Sequence, residues 1–173
     1  MKTENLQIRD ATSNDRDAIQ AVTLAAYEQY SAMMGDLWKF YRENILATLA
    51  DFKPAEQIVA ESDAGIVGTV LLFPAGTQFH TPDGSEVTLA FPEIRLLAVD
   101  PVARGQGIGR ALMEECIRRA RQSGVAAITL HTSDRMNIAQ SMYVRMGFVR
   151  TPNFDFSPAP GQLVKGYRFD LNK

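Results

Sequence analysis

Apolar residues recur along this chain in two rhythms. Leu6-Gln7-Ile8-Arg9 alternates, as a short half-buried strand does. Thr12 or Ser13 can then cap a helix whose first turn carries Asp15 and Asp17. Ile19, Val22, Ala26 and Tyr30 continue it as an apolar stripe at helical spacing. Asp36 opens a second helix, through Trp38, Phe40, Ile45 and Leu49, to about Ala50. The rhythm then returns to strands: Gln57 to Glu61, a turn at Asp63-Ala64-Gly65, and a paired strand from Ile66 to Phe73. Pro74-Ala75-Gly76 breaks the pattern, and Thr81-Pro82-Asp83-Gly84 is a further turn. The segment before Pro92 therefore holds a loop or an extra hairpin.

From Glu93 the order is strand, helix, strand, helix, strand. The apolar run Ile94-Arg95-Leu96-Leu97-Ala98-Val99 leads into a glycine loop, Arg104-Gly105-Gln106-Gly107-Ile108-Gly109-Arg110. The helix that follows reaches about Arg121. Its apolar face carries Ile108, Leu112, Met113, Cys116, Ile117 and Ala120, with Arg110, Glu114, Arg118 and Arg121 opposite, and Gly124 ends it. Pro152, Pro158, Pro160 and Gly161 favour a loop near the C-terminus, before a last strand from Val164 to Leu171. The predicted order is βααβββαβαββ. This is an α/β fold with a mixed central sheet of about seven strands and helices on both faces. A length of 173 residues fits one domain, 1–173.

Composition narrows the function. The net charge of −2 gives no general attraction to nucleic acid or to an anionic membrane. One cysteine, Cys116, excludes an intrachain disulfide and a multi-cysteine metal site. His80 and His131, far apart and without a third ligand, make no zinc site, so no metal is expected. The start, Met1-Lys2-Thr3-Glu4-Asn5, is polar and has no signal-peptide core, and no apolar run reaches the length of a membrane span. These features predict a cytoplasmic protein.

Strand, glycine loop and helix in that order make an anion site. Glycines let the backbone approach closely, and the helix N-terminus adds a partial positive charge. A phosphate or pyrophosphate is the expected ligand. The P-loop pattern fails because no lysine-hydroxyl pair follows the glycines. The dinucleotide pattern Gly-x-Gly-x-x-Gly fits Gly105 and Gly107, but Arg110 stands at the third glycine, which normally permits close helix–strand packing. A third pattern, Gln/Arg-x-x-Gly-x-Gly/Ala, is filled by Arg104, Gly107 and Gly109. It resembles the pyrophosphate loop of the GNAT superfamily of acyl-CoA N-acyltransferases. A second segment, Asn137-Ile138-Ala139-Gln140-Ser141-Met142-Tyr143 with Gly147-Phe148 after it, is similar to that superfamily's Asn-x-x-Ala-x-x-x-Tyr signature. No substrate subfamily is identified.

The resemblance implies a mixed, mostly antiparallel GNAT sheet, acetyl-CoA as cosubstrate without a metal, and direct attack of a primary amine in a ternary complex. It places the pyrophosphate on the backbone N–H groups of Arg104, Gly105, Gln106, Gly107, Ile108, Gly109 and Arg110. The pantetheine arm falls against Leu97, Ala98 and Val99, and Asn137 and Tyr143 also contact the cofactor. A backbone N–H near Leu97 or Ala98, freed by a strand bulge, matches the family's donor to the carbonyl oxygen. An alkylamine of pKa ~10.4 is less than ~0.1% neutral at pH 7, a penalty of about 4.6 kcal/mol, so the reaction needs a proton acceptor. Glu93 matches the family's general base; its alternative is an ion pair with Arg95 on the same strand face. Tyr143 matches the general acid for the departing thiolate; its alternative is a core aromatic. Asn137 has a helix-start role as its alternative.

The acceptor, a small molecule or a peptide amine, stays open, as does the homodimer that many relatives form. A non-catalytic acyl-CoA-binding module would keep Arg104, Gly107 and Gly109 but need neither Glu93 nor Tyr143. His131 ends a strand and reads as a structural histidine or an acceptor contact. Tyr27, Tyr30 and Trp38 on the first helices read as core aromatics, with the acceptor pocket that the resemblance implies there as their alternative, and Cys116 as core.

Overall fold

The structure, a computed structural model, describes residues 5–81, 83–158 and 161–172. The polar start 1–4, Pro82 of the predicted turn and Pro160 of the predicted loop lie outside the described residues. The strands are β1 (Gln7–Asp10), β2 (Glu56–Ser62), β3 (Gly65–Phe73), β4 (Gln78–His80), β5 (Glu86–Thr88), β6 (Glu93–Val99), β7 (Ala127–Ser133), β8 (Val149–Arg150) and β9 (Val164–Asp170). The helices are α1 (Arg16–Tyr27), α2 (Ser31–Met34), α3 (Leu37–Ala50), α4 (Ile108–Gln122) and α5 (Asn137–Met146). Seven strands join in the order β1-β2-β3-β6-β7-β9-β8. The resolved pairings are antiparallel except β6 with β7, which is parallel. This is the mixed, mostly antiparallel α/β sheet expected from the sequence. The segment before Pro92 forms the extra hairpin, with β4 and β5 in a two-stranded sheet of their own. Among the described residues, no helix is long and apolar enough to cross a membrane.

The chain forms two compact units: Met1–Leu72 with Leu96–Glu115, and Phe73–Arg95 with Cys116–Lys173. In the first, the stripe read from sequence is the buried face: Ile19, Val22 and Ala26 of α1 are buried, and Val22 and Ala26 cluster with Ala98 of β6. Glycine decides one close approach that the sequence reading passed over. A β-carbon on Gly68 of β3 would lie 2.9 Å from Ile108 and 3.0 Å from Leu112, so the strand packs on the first turns of α4 only without a side chain there.

The helix starts meet expectation in part. Thr12 stands at the N-cap and closes a capping box with Asp15. Its backbone N–H donates to Asp15 Oδ2 at 2.7 Å, and its hydroxyl donates to the same oxygen at 3.1 Å. A 3-10 turn, Ser13–Asp15, precedes α1, and the stripe beyond Tyr27 continues as a second 3-10 turn, Glu28–Tyr30. Asp36 precedes α3 but its side chain makes no capping bond, because its own backbone is already helical at φ −62°.

Arg9 grips Asp15 with two hydrogen bonds, at 2.7 and 3.0 Å, and reaches Glu61 at 2.7 Å. These bonds, with those from Thr12, outweigh burial and hold the Asp15 carboxyl well below the usual carboxylate range. A depressed carboxyl stabilises the fold above its unfolded pKa, and that benefit is lost as pH falls through the folded value. Asp15→Asn is therefore expected to cost about 1–3 kcal/mol at pH 7. In urea titrations, the gap between variant and parent should close as the pH falls below that of a free carboxyl.

In the second unit, Ala127, Ile128 and Leu130 of β7 are fully buried with Cys116 and Ala120 of α4. Tyr143 of α5 packs on Phe148 at 6.1 Å, and Phe148 on Phe169 at 5.3 Å. Gly147 closes α5 in the left-handed conformation, φ +102°. The predicted loop before β9 is more ordered than its prolines imply. It has a 3-10 turn at Pro152–Phe154 and a bridge from Phe156 to Val164, and Asp155 accepts from Arg150 at 2.6 Å and from the Gly166 N–H at 2.9 Å.

Candidate active site

In the first unit, β6 ends at a bend built by Asp100. Its carboxylate accepts from the Val102 N–H at 3.0 Å and fixes a single 3-10 turn, Pro101–Ala103. Gly105 and Gly107 follow at φ +78° and +81°, a region that L side chains rarely adopt. A β-carbon on either would meet nothing within 4 Å, so both face open space. The first bond of the following helix runs from Ala111 N–H to the Gly107 carbonyl, 3.0 Å. The N–H groups of Ile108, Gly109 and Arg110 precede it and have no acceptor within the helix. Gly109 itself is helical. Arg104 sends its guanidinium to the Ala26 carbonyl at 3.2 Å and to Gln29 Oε1 at 3.4 Å, which ties the loop to α1. Arg110 points outward and pairs with Glu114 at 2.7 Å.

The strand before the loop is not regular. Leu96 adopts φ +49°, a left-handed conformation that a leucine occupies only at a cost. The recorded β6–β7 register is Glu93 with Thr129 and Ile94 with Leu130. Leu97 and Val99 are half-buried and Ala98 is buried. Tyr27, read from sequence as core, donates its hydroxyl to the Leu97 carbonyl at 3.2 Å.

In the second unit, Glu93 is buried to 2% exposure and sits between Arg95 and His131. Arg95 Nε pairs with Oε1, and His131 Nδ1 lies 3.2 Å from Oε2. The ion pair with Arg95 that sequence offered as the alternative is present, and it coexists with a partner the sequence did not assign. Burial alone would raise the Glu93 carboxyl; the contact with His131 and the Arg95 charge prevail and hold it below the ordinary range. Burial likewise opposes charge on His131, yet the Glu93 carboxylate outweighs it and raises the imidazole. Arg95 is itself clamped by aromatics, 3.9 Å over Phe79 of the extra hairpin and 5.3 Å from Phe73. Tyr143 is buried, its ring on Phe148. Asn137 is exposed in the first turn of α5, where Met136 holds the cap position. Among the described residues, no group of three or more His, Cys, Asp or Glu could hold a metal ion.

Two signals for this arrangement lay in the sequence. A lone glycine inside a strand pattern, Gly68, marks close backbone approach. His131, within β7, becomes a partner of Glu93 once the two strands are paired in parallel.

The model of the acetyltransferase (GNAT) family matches residues 23–148. The chain is 30% identical to a mycothiol acetyltransferase of Propionibacterium freudenreichii over 159 residues, 90% of this chain and 47% of the relative. It spans 27–47% of the length of the mycothiol acetyltransferases it matches. Among solved structures, a GNAT-family acetyltransferase of Staphylococcus aureus Mu50 shares the fold at TM-score 0.70 and 17% identity, covering 97% of this chain and all of that one. One from Brucella melitensis, in complex with acetyl-CoA, shares it at TM-score 0.63 and 21% identity, covering 98% of this chain and 90% of that one. With the family model matched over most of its length, the chain belongs to the GNAT acetyltransferase family.

Proposed function

We propose that this protein, as one acetyltransferase domain, transfers an acetyl group from acetyl-CoA to a primary amine by direct attack. The observation that carries this reading is the loop between β6 and α4. Gly105 and Gly107 are both left-handed and both face open space, at a helix start whose N–H groups need acceptors. A diphosphate supplies those acceptors and the matching charge. The acetyl-CoA bound to the Brucella relative has the same diphosphate-bearing chemistry.

Each residue then has a defined task. The amides from Arg104 to Arg110 bind the diphosphate, and Leu97, Ala98 and Val99 offer strand edge to the pantetheine arm. Asn137 stands where a first-turn side chain can reach the cofactor. As the amine nitrogen bonds to the thioester carbon, negative charge gathers on the carbonyl oxygen. An N–H at Leu97 or Ala98, beside the bend at Leu96, is the proposed donor to it, a contribution of about 3–4 kcal/mol in comparable sites. Glu93 takes the amine proton. Tyr143 gives a proton to the thiolate as the carbon–sulfur bond breaks.

The test is a screen of a broad amine library, peptide amines included, for acetyl-CoA-dependent thiol release. Release with at least one acceptor is expected. Tight acetyl-CoA binding with no release across the library would instead identify a non-catalytic binding module.

A further inference from the structure

Resting on the reading above, we propose that His131 is a positioning residue for acyl transfer: it orients Glu93, shares a single proton with it, and must give that proton up before Glu93 can accept one from the amine.

His131 Nε2 lies 2.7 Å from the Phe154 carbonyl. A carbonyl only accepts, so Nε2 carries a hydrogen. Nδ1, on the other side of the ring, lies 3.2 Å from Glu93 Oε2. The approach is close enough for charge pairing but lacks the geometry of a well-formed hydrogen bond. If the imidazole were neutral and Glu93 ionised, an unprotonated Nδ1 would lie 3.2 Å from a buried carboxylate oxygen with no positive charge on the ring to offset it. The arrangement is attractive only when one further proton resides on the pair. Arg95, paired with the other carboxylate oxygen, favours the anion on Glu93 and so places that proton on His131.

The surroundings fix both members. The Glu93–Thr129 register places Glu93 beside β7, and His131 follows Thr129 by two residues, so it projects from the same sheet face. The Phe156 ring stands edge-on to the imidazole at 5.3 Å. Gly166, opposite His131 on β9, has no side chain because a β-carbon there would lie 2.5 Å from that of Phe154. Among the described residues, the charged groups that act on His131 are Glu93 and Arg95 on β6 and Asp155 in the Phe154 segment, itself paired with Arg150; Lys165, next to Gly166 on β9, is paired with Asp134. Glu93 is the one in direct contact with the ring nitrogens.

The reaction balances through this pair. His131 first loses its Nδ1 proton to water. Glu93 Oε2 then accepts the proton released when the amine nitrogen bonds to the acyl carbon. That proton passes to Nδ1, and the carboxylate–imidazolium arrangement is restored. The proton given to the thiolate comes separately, from Tyr143. The imidazole is raised above its ordinary value, so the Nδ1 proton persists at pH values where a free histidine has lost it. Activity should therefore rise with pH through the His131 midpoint.

Nitrogen-15 NMR of the ligand-free protein tests the proton directly, whether or not an acceptor is known. In the parent, His131 is expected to titrate above the ordinary histidine value of 6.5, with both ring nitrogens protonated below the midpoint. Glu93→Gln should lower the midpoint to that value or below. A parent His131 that is neutral throughout, or a midpoint that Glu93→Gln leaves unmoved, overturns the proposal. With an acceptor in hand, His131→Gln keeps a neutral donor and should move the low-pH limb of kcat/KM toward acid, by about tenfold in proton concentration. KM for acetyl-CoA should stay unchanged. A uniform loss at every pH would mark His131 as merely structural and also overturn it. Failure of all acetyl-CoA binding would instead count against the functional reading.

Discussion

Gly107→Val should abolish measurable acetyl-CoA binding. The parent backbone at this position has φ +81°, where a β-branched side chain is strained. That strain costs roughly 1–2 kcal/mol and pushes the loop toward another conformation. A β-carbon at Gly107 meets nothing within 4 Å of the protein, so the side chain starts into open space. The added carbons would fill the space proposed for the diphosphate. Charge-assisted hydrogen bonds contribute about 1.5–3 kcal/mol each, so losing two weakens binding by roughly a hundred-fold to ten-thousand-fold. Calorimetry reads the affinity, and a thermal melt shows that the sheet is retained. Parent-like affinity in the variant would remove this loop from the cofactor site.

The second large effect falls on turnover. Tyr143→Phe removes one oxygen and keeps the ring, which packs on Phe148 at 6.1 Å. A general acid of this kind contributes about 10²–10⁴-fold. The variant should lose turnover on that scale in a thiol-release assay while binding acetyl-CoA as the parent does. An unchanged kcat would make Tyr143 a core aromatic. A loss of stability with no separate loss of turnover would lead to the same conclusion. Glu93→Gln, measured alongside, separates proton removal from proton delivery: it should alter the pH–rate profile, and an unchanged profile would leave Glu93 as an ion-pair partner of Arg95.

The sequence carried the parts of this account that glycine and periodicity encode. The stripe Ile19, Val22 and Ala26 is buried as its spacing predicts. Gly105 and Gly107 take the left-handed conformations that glycines in a phosphate loop provide. The α4 face through Leu112, Met113 and Cys116 is fully buried. Other features depend on tertiary structure and have no local sign. Leucine ordinarily avoids positive φ, so nothing in Leu96-Leu97-Ala98 announces the bend at Leu96. The partnership of Glu93 and His131 exists only because β6 and β7 pair in parallel, across 38 positions of chain. Tyr27 belongs to a helical stripe, yet its hydroxyl reaches the Leu97 carbonyl. Periodicity finds the face of a helix but not the reach of a polar tip at its edge. Asp36 shows the converse error: it is a good capping residue, but its backbone is already helical and its side chain makes no capping bond.

The central claim is that main-chain amides from Arg104 to Arg110 hold the diphosphate of acetyl-CoA. Amide NMR during an acetyl-CoA titration tests it most directly. The largest shifts are expected on Gly105, Gly107, Ile108 and Gly109, with weaker ones along Leu97 to Val99. Saturable binding that leaves those amides unmoved would contradict it.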